Sequence, residues 1–103
     1  MSETVTLNLP LDAIREYCAG QPIRRLSVFG SAARNELTPE SDIDLLVEYL
    51  PDASVGLFAM SGHRLELIEI VKREVDLTTP NSLSPYIRDE VLDSARLIYE
   101  KDA

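Results

Sequence analysis

A single cysteine, Cys18, stands in this 103-residue chain, so no internal disulfide can hold the fold together, and one thiol on an amphipathic helical pattern is expected to pack rather than react. Histidine is as scarce: His63 is the only one, and its place between Gly62 and Arg64 predicts an exposed helix position rather than a metal ligand. No apolar run approaches the roughly 20 residues that span a bilayer, and no N-terminal apolar stretch resembles a signal peptide, so a cytoplasmic protein is expected. Basic residues are in deficit. Ten Lys and Arg stand against 18 acids, and the net charge of −8 opposes tight binding to a polyanionic nucleic-acid backbone. Arg15, Arg24, Arg25, Arg34, Lys72 and Arg73 offer at most a local basic rim, and scattered arginines are usually solvated surface. An acidic chain of this kind is suited to a basic partner. Internal repeats, low-complexity tracts and an interdomain linker are also missing, and 103 residues are enough for one core, so residues 1–103 are expected to form a single domain.

The stretch Leu26 to Glu48, LSVFGSAARNELTPESDIDLLVE, is the densest in chemistry. Leu26, Val28 and Phe29 read as an apolar strand, Gly30 permits a sharp turn, and Ser31 to Asn35 reads as a short helix. Backbone N–H groups at a helix start favour anions, and glycine allows a phosphate to come close to the backbone. The Ser31 hydroxyl can donate to a phosphate oxygen, and Arg34 is one turn further on. A polar loop with Pro39 leads to Ser41-Asp42-Ile43-Asp44, which opens the apolar run Leu45-Leu46-Val47. Side chains alternate along a strand, so Asp42 and Asp44 project from one face while Ile43 points into a core. Two acids at the head of a buried strand are costly unless something cationic binds them.

A third acid follows a long helical stretch. Val75-Asp76-Leu77-Thr78 reads as a short strand with one carboxylate between apolar neighbours, and if it lies beside Asp42 to Glu48, Asp76 joins the other two. Crowded carboxylates repel one another until divalent cations neutralise them, and magnesium, a hard cation that shares oxygen ligands with phosphates, suits such a set. Taken singly, each piece has an ordinary reading: Gly-Ser as a turn, Asp-x-Asp as a solvated edge, Asp76 as a strand-end acid facing water. The joint order of strand, Gly-Ser turn, helix, loop and acid-headed strand is what points to chemistry.

With Gly30-Ser31, Arg34, Ser41-Asp42-Ile43-Asp44 and Val75-Asp76-Leu77 in place, the chain resembles the DNA polymerase beta-type nucleotidyltransferase superfamily, and most of all its smallest branch, the minimal nucleotidyltransferases (MNT). The resemblance implies an α+β fold, a small mixed β-sheet with helices packed against it in two layers. It implies a Mg²⁺-dependent protein adenylyltransferase acting as the antitoxin of a HEPN-domain ribonuclease toxin, moving AMP from ATP to a toxin tyrosine. Asp42 and Asp44 would be metal ligands for two Mg²⁺ ions, with Asp76 as third ligand or base; Gly30, Ser31, Arg34 and Ser41 would bind the nucleotide. A hetero-oligomer with the toxin would follow, without direct nucleic-acid or membrane contact. Asn35 departs from the glycine usual after the motif arginine, although asparagine tolerates a left-handed backbone. Two alternatives stand beside this reading: an antitoxin that inhibits by binding alone, and transfer to a small molecule, which a chain with no second domain would grip poorly.

The expected layout is α-β-α-β-α-β-α. Pro10 to Ala19 reads as a helix, Ile23 to Phe29 and Asp42 to Tyr49 as strands, and Gly56 to Glu74 as a helix whose inner face carries Leu57, Ser61, Leu65, Ile68 and Val71. Ser84-Pro85 opens a helix through Ser94 with Ile87, Val91 and Leu92 inward, and Arg96 to Tyr99 is either its end or a closing strand.

Overall fold

A computed structural model of the chain describes residues 9–30 and 42–101, and the account below concerns those residues. In chain order they form α1 (Leu11–Ala19), β1 (Ile23–Phe29), β2 (Ile43–Tyr49), α2 (Leu57–Val71), β3 (Val75–Thr78), a turn of 3-10 helix (Pro80–Ser82), α3 (Pro85–Ser94) and β4 (Arg96–Glu100). The four strands make one sheet in the order β3-β2-β1-β4. β1 runs antiparallel to both β2 and β4, and β3 runs parallel to β2, the direction that the crossover through α2 imposes. The architecture is the mixed-sheet α+β arrangement expected from the motif order.

Alternation along the strands separates the two faces. Leu26 and Val28 of β1, Ile43, Leu45 and Val47 of β2, and Val75 and Leu77 of β3 turn to one side and are buried. Against them pack Ile14 and Cys18 of α1 and Leu67 and Val71 of α2. Cys18 is fully buried, in keeping with a packing role, and burial raises its thiol from 9.0 to about 11. The opposite face carries Asp44, Leu46 and Glu48 of β2, in register with Phe29, Ser27 and Arg25 of β1, and Asp76 and Thr78 of β3.

Three expectations are corrected. α2 turns Met60, His63, Leu67 and Val71 toward the sheet, while Leu57 and Leu65 are 84% and 57% exposed and Ser61 is also outward. The helix is apolar almost all round, so its periodicity does not select a face; the sheet does. His63, expected at the surface, is buried and shares a 2.9 Å hydrogen bond with the Tyr49 hydroxyl, with Tyr17 edge-on to its ring. Burial pushes the Tyr49 phenol up to about 12. In α3, capped by Ser84, which accepts a 3.3 Å bond from the Tyr86 N–H, Ile87 and Leu92 are half exposed and no residue is buried. That helix is tied instead by Arg88, which donates to the carbonyls of Pro80 at 3.0 Å and Leu83 at 2.9 Å. Residues 96–100 resolve the remaining ambiguity as a strand, because the free edge of β1 takes their backbone hydrogen bonds. The expected short helix at 31–35 lies outside the described residues. Among the described residues, no helix is long and apolar enough to cross a membrane.

Candidate active site

Three chain ends meet at one edge of the open sheet face. β1 finishes at Phe29, β2 begins at Ile43 and β3 begins at Val75, so Gly30, Asp44 and Asp76 are brought together from three adjacent strands. The register pairs Phe29 with Asp44 and Asp44 with Asp76, which puts the two carboxylate-bearing residues opposite each other on neighbouring strands, about 4.8 Å apart along the hydrogen-bonding direction. Their flanking residues explain the placement. Ile43, Leu45, Val75 and Leu77 are drawn into the core, and the pleat leaves the acids between them on the other side.

Gly30 is bound to this geometry for two reasons. Its φ of +68° lies in the left-handed region that side chains disfavour. A Cβ built on it would overlap the Asp44 Oδ2 and stand only 3.3 Å from its Cγ. The glycine therefore makes the room in which the Asp44 carboxylate sits.

Of the residues singled out in the sequence, Gly30, Asp44 and Asp76 are brought together. Asp42 is exposed and immediately precedes β2, two residues ahead of Asp44. Ser31, Arg34 and Ser41 lie outside the described residues. Among the described residues, no group of three or more His, Cys, Asp or Glu is gathered to hold a metal ion. The donor chemistry nevertheless fits a hard divalent cation: oxygen donors only, two of them in register, beside a glycine that keeps the approach open.

Further along the same face lies a feature that the motifs did not mark. Arg25 reaches Glu48 at 3.3 Å and Glu100 at 2.8 Å, and these three rim a hollow of about 570 Å³ floored by Ser27 and Leu46. The alternation Asp44, Leu46, Glu48 put Glu48 on the acid face in advance; the part of Glu100 depends on β4. Arg15 likewise engages an acid of its own helix, Asp12, at 3.7 Å, so two members of the expected basic rim already have acidic partners.

Comparison with known proteins decides the family, for residues 11–98 match the family described as "Nucleotidyltransferase domain". The chain belongs to the nucleotidyltransferases. A Methanocaldococcus jannaschii protein named as a candidate protein adenylyltransferase is 42% identical over 73 residues, which are 71% of this chain and 76% of that protein. A solved structure described as a candidate minimal nucleotidyltransferase superposes with a TM-score of 0.72 at 33% identity, over 87% of this chain and 90% of that one. The fold is shared as well with a complex of a tri-AMPylated Shewanella oneidensis HEPN toxin and its MNT antitoxin, at a TM-score of 0.64 and 18% identity, over 95% of this chain and 74% of the matched one. In this nucleotidyltransferase, Gly30, Asp44 and Asp76 stand together at one end of the open sheet face.

Proposed function

We propose that this nucleotidyltransferase is the antitoxin of a toxin–antitoxin pair and transfers AMP from ATP to a hydroxyl, a tyrosine, of a HEPN-domain ribonuclease toxin, so neutralising it. The observation that carries the reading is the register of Asp44 with Asp76 beside the left-handed Gly30. Family membership and the names of the relatives support the reaction class. On this reading residues 1–103 work as one minimal domain in the cytoplasm, and the acceptor is chosen by the domain's own surface.

In the reaction the acceptor oxygen attacks the α-phosphorus, the new O–P bond forms as the bond to pyrophosphate breaks, and the acceptor proton passes to a base. Gly30 lets the triphosphate approach the backbone, and Ser31, Arg34 and Ser41 hold its oxygens. Asp76 is the candidate to take the proton, since it stands in register with Asp44 at the strand head and is exposed. Asp42, Asp44 and Asp76 would hold Mg²⁺, which when bound lowers the pKa of a hydroxyl and neutralises phosphate charge.

Inhibition by binding alone is the second reading, favoured by apolar side chains left outward: Phe58 is 97% and Tyr86 95% exposed. Intact mass spectrometry of the partner toxin after incubation with the chain, ATP and Mg²⁺ separates the two. A gain of one or more AMP units, lost with Asp42→Asn/Asp44→Asn, establishes the transferase. No gain, with tight complex formation by both forms, leaves binding as the whole mechanism.

A further inference from the structure

The hollow beside the acids has a chemistry of its own. Its floor, Ser27 and Leu46, is buried, and its sides include Leu92 of α3 and Leu97 of β4, left 43% and 54% exposed. Leu46 follows Asp44 on the same side of β2, so the hollow's floor lies one side-chain step along the open face from the strand head. From Asp44 to Glu48 is four residues, about 13 Å of strand.

The rim decides what can enter. The Arg25 guanidinium already faces two carboxylates, Glu48 and Glu100, so it offers no uncompensated cation to a phosphate, and one arginine against two glutamates leaves the rim net negative. α3 lends the hollow Leu92, and the helix's one cation, Arg88, is directed at the carbonyls of Pro80 and Leu83. A nucleoside triphosphate is therefore disfavoured here, and an apolar side chain flanked by cationic ones is favoured.

We infer that this hollow is the docking subsite for the acceptor polypeptide: it takes an apolar or aromatic side chain next to lysine or arginine and so carries a neighbouring hydroxyl along β2 toward Asp44. The inference deepens the proposed transfer to a protein and rests on that reading for the word acceptor. It assigns Leu97 and Glu100, on the edge strand β4, to partner recognition.

Amide chemical-shift mapping of the isotope-labelled chain tests it. The probe is an amidated Lys-Lys-Tyr-Leu-Lys peptide, with Glu-Glu-Tyr-Leu-Glu as its charge-reversed counterpart. The basic peptide should move the amides of Ser27, Leu46 and Leu97, and the acidic one should leave them unmoved. Glu100→Lys should weaken the basic peptide about tenfold, because attraction becomes repulsion at the rim, and Glu100→Gln, which keeps the side-chain shape, by about threefold. The spectrum of each variant reports at once whether it is folded. Unmoved hollow amides, equal binding of the two peptides, or indifference to both substitutions would overturn the inference; so would AMP-PNP moving these amides in place of the peptide. Failure of the enzymatic reading looks different: AMP-PNP with Mg²⁺ would leave Gly30, Asp44 and Asp76 unmoved while the basic peptide still filled the hollow, which would then stand as a protein-docking surface alone.

Discussion

Replacing Gly30 with alanine probes the one contact on which the candidate site turns. Two costs arise in the folded state. An L-residue held at a φ of +68° loses about 1–2 kcal/mol relative to glycine. The new methyl group would also overlap the Asp44 Oδ2, and the carboxylate must leave its rotamer, at about 0.5–1.5 kcal/mol. Alanine narrows the unfolded ensemble, which offsets about 0.4–1 kcal/mol. The net expectation is a destabilisation of about 0.5–3 kcal/mol, centred on about 2, read by urea unfolding followed through circular dichroism. A double-mutant cycle with Asp44→Ala isolates the contact, because backbone strain and unfolded-state entropy are common to both backgrounds and cancel. With the carboxylate gone, Gly30→Ala should cost about 1 kcal/mol less. An equal cost in the two backgrounds, within about 0.3 kcal/mol, would refute the claim that Gly30 makes room for Asp44. The same substitution should depress AMP transfer far more than its stability loss accounts for, since it displaces a proposed metal ligand.

Other outcomes follow from the same geometry. Asp42→Asn and Asp44→Asn should each abolish transfer while the variants stay folded by circular dichroism; full activity of the double variant would end the assignment. Tyr49→Phe removes the hydroxyl partner of buried His63 and should destabilise the chain by about 1–2 kcal/mol in chemical denaturation, whereas a surface role for His63 predicts no change. Stability should fall in alkali. The Cys18 thiol titrates at about 11 in the folded chain against 9.0 when solvated, so between these values the unfolded chain binds fewer protons than the folded one and ∂ΔG/∂pH is negative. The contribution is intact below pH 9.0 and is lost as pH rises through about 11, in total about 2–3 kcal/mol; Cys18→Ala should flatten this part of a stability–pH profile, at a separate packing cost that does not depend on pH.

What the sequence determined by itself is what short-range pattern can carry. Strand alternation placed Asp44 opposite in sense to Ile43 and Leu45, and the strand bounds Ile23 to Phe29 and Val75 to Thr78 were readable because apolar runs ended at Gly30 and at Pro80. The Gly-Ser and Asp-x-Asp spacing pointed to the family that residues 11–98 match. Only the tertiary structure decided which strands are neighbours, and with it that Asp76 stands against Asp44, since register between strands separated by a whole helix is a long-range property. It also chose the inner face of α2. With Leu57, Phe58, Leu65, Leu67, Ile68 and Ile70 spread round the helix, burial is set by where the sheet lies, and that selected His63 and Leu67 over Leu57 and Leu65. Neither the Arg25–Glu48–Glu100 rim nor the hollow beneath it has a local signature: its charges come from three strands, and a strand edge seeking backbone partners, not any motif, brought Glu100 into place.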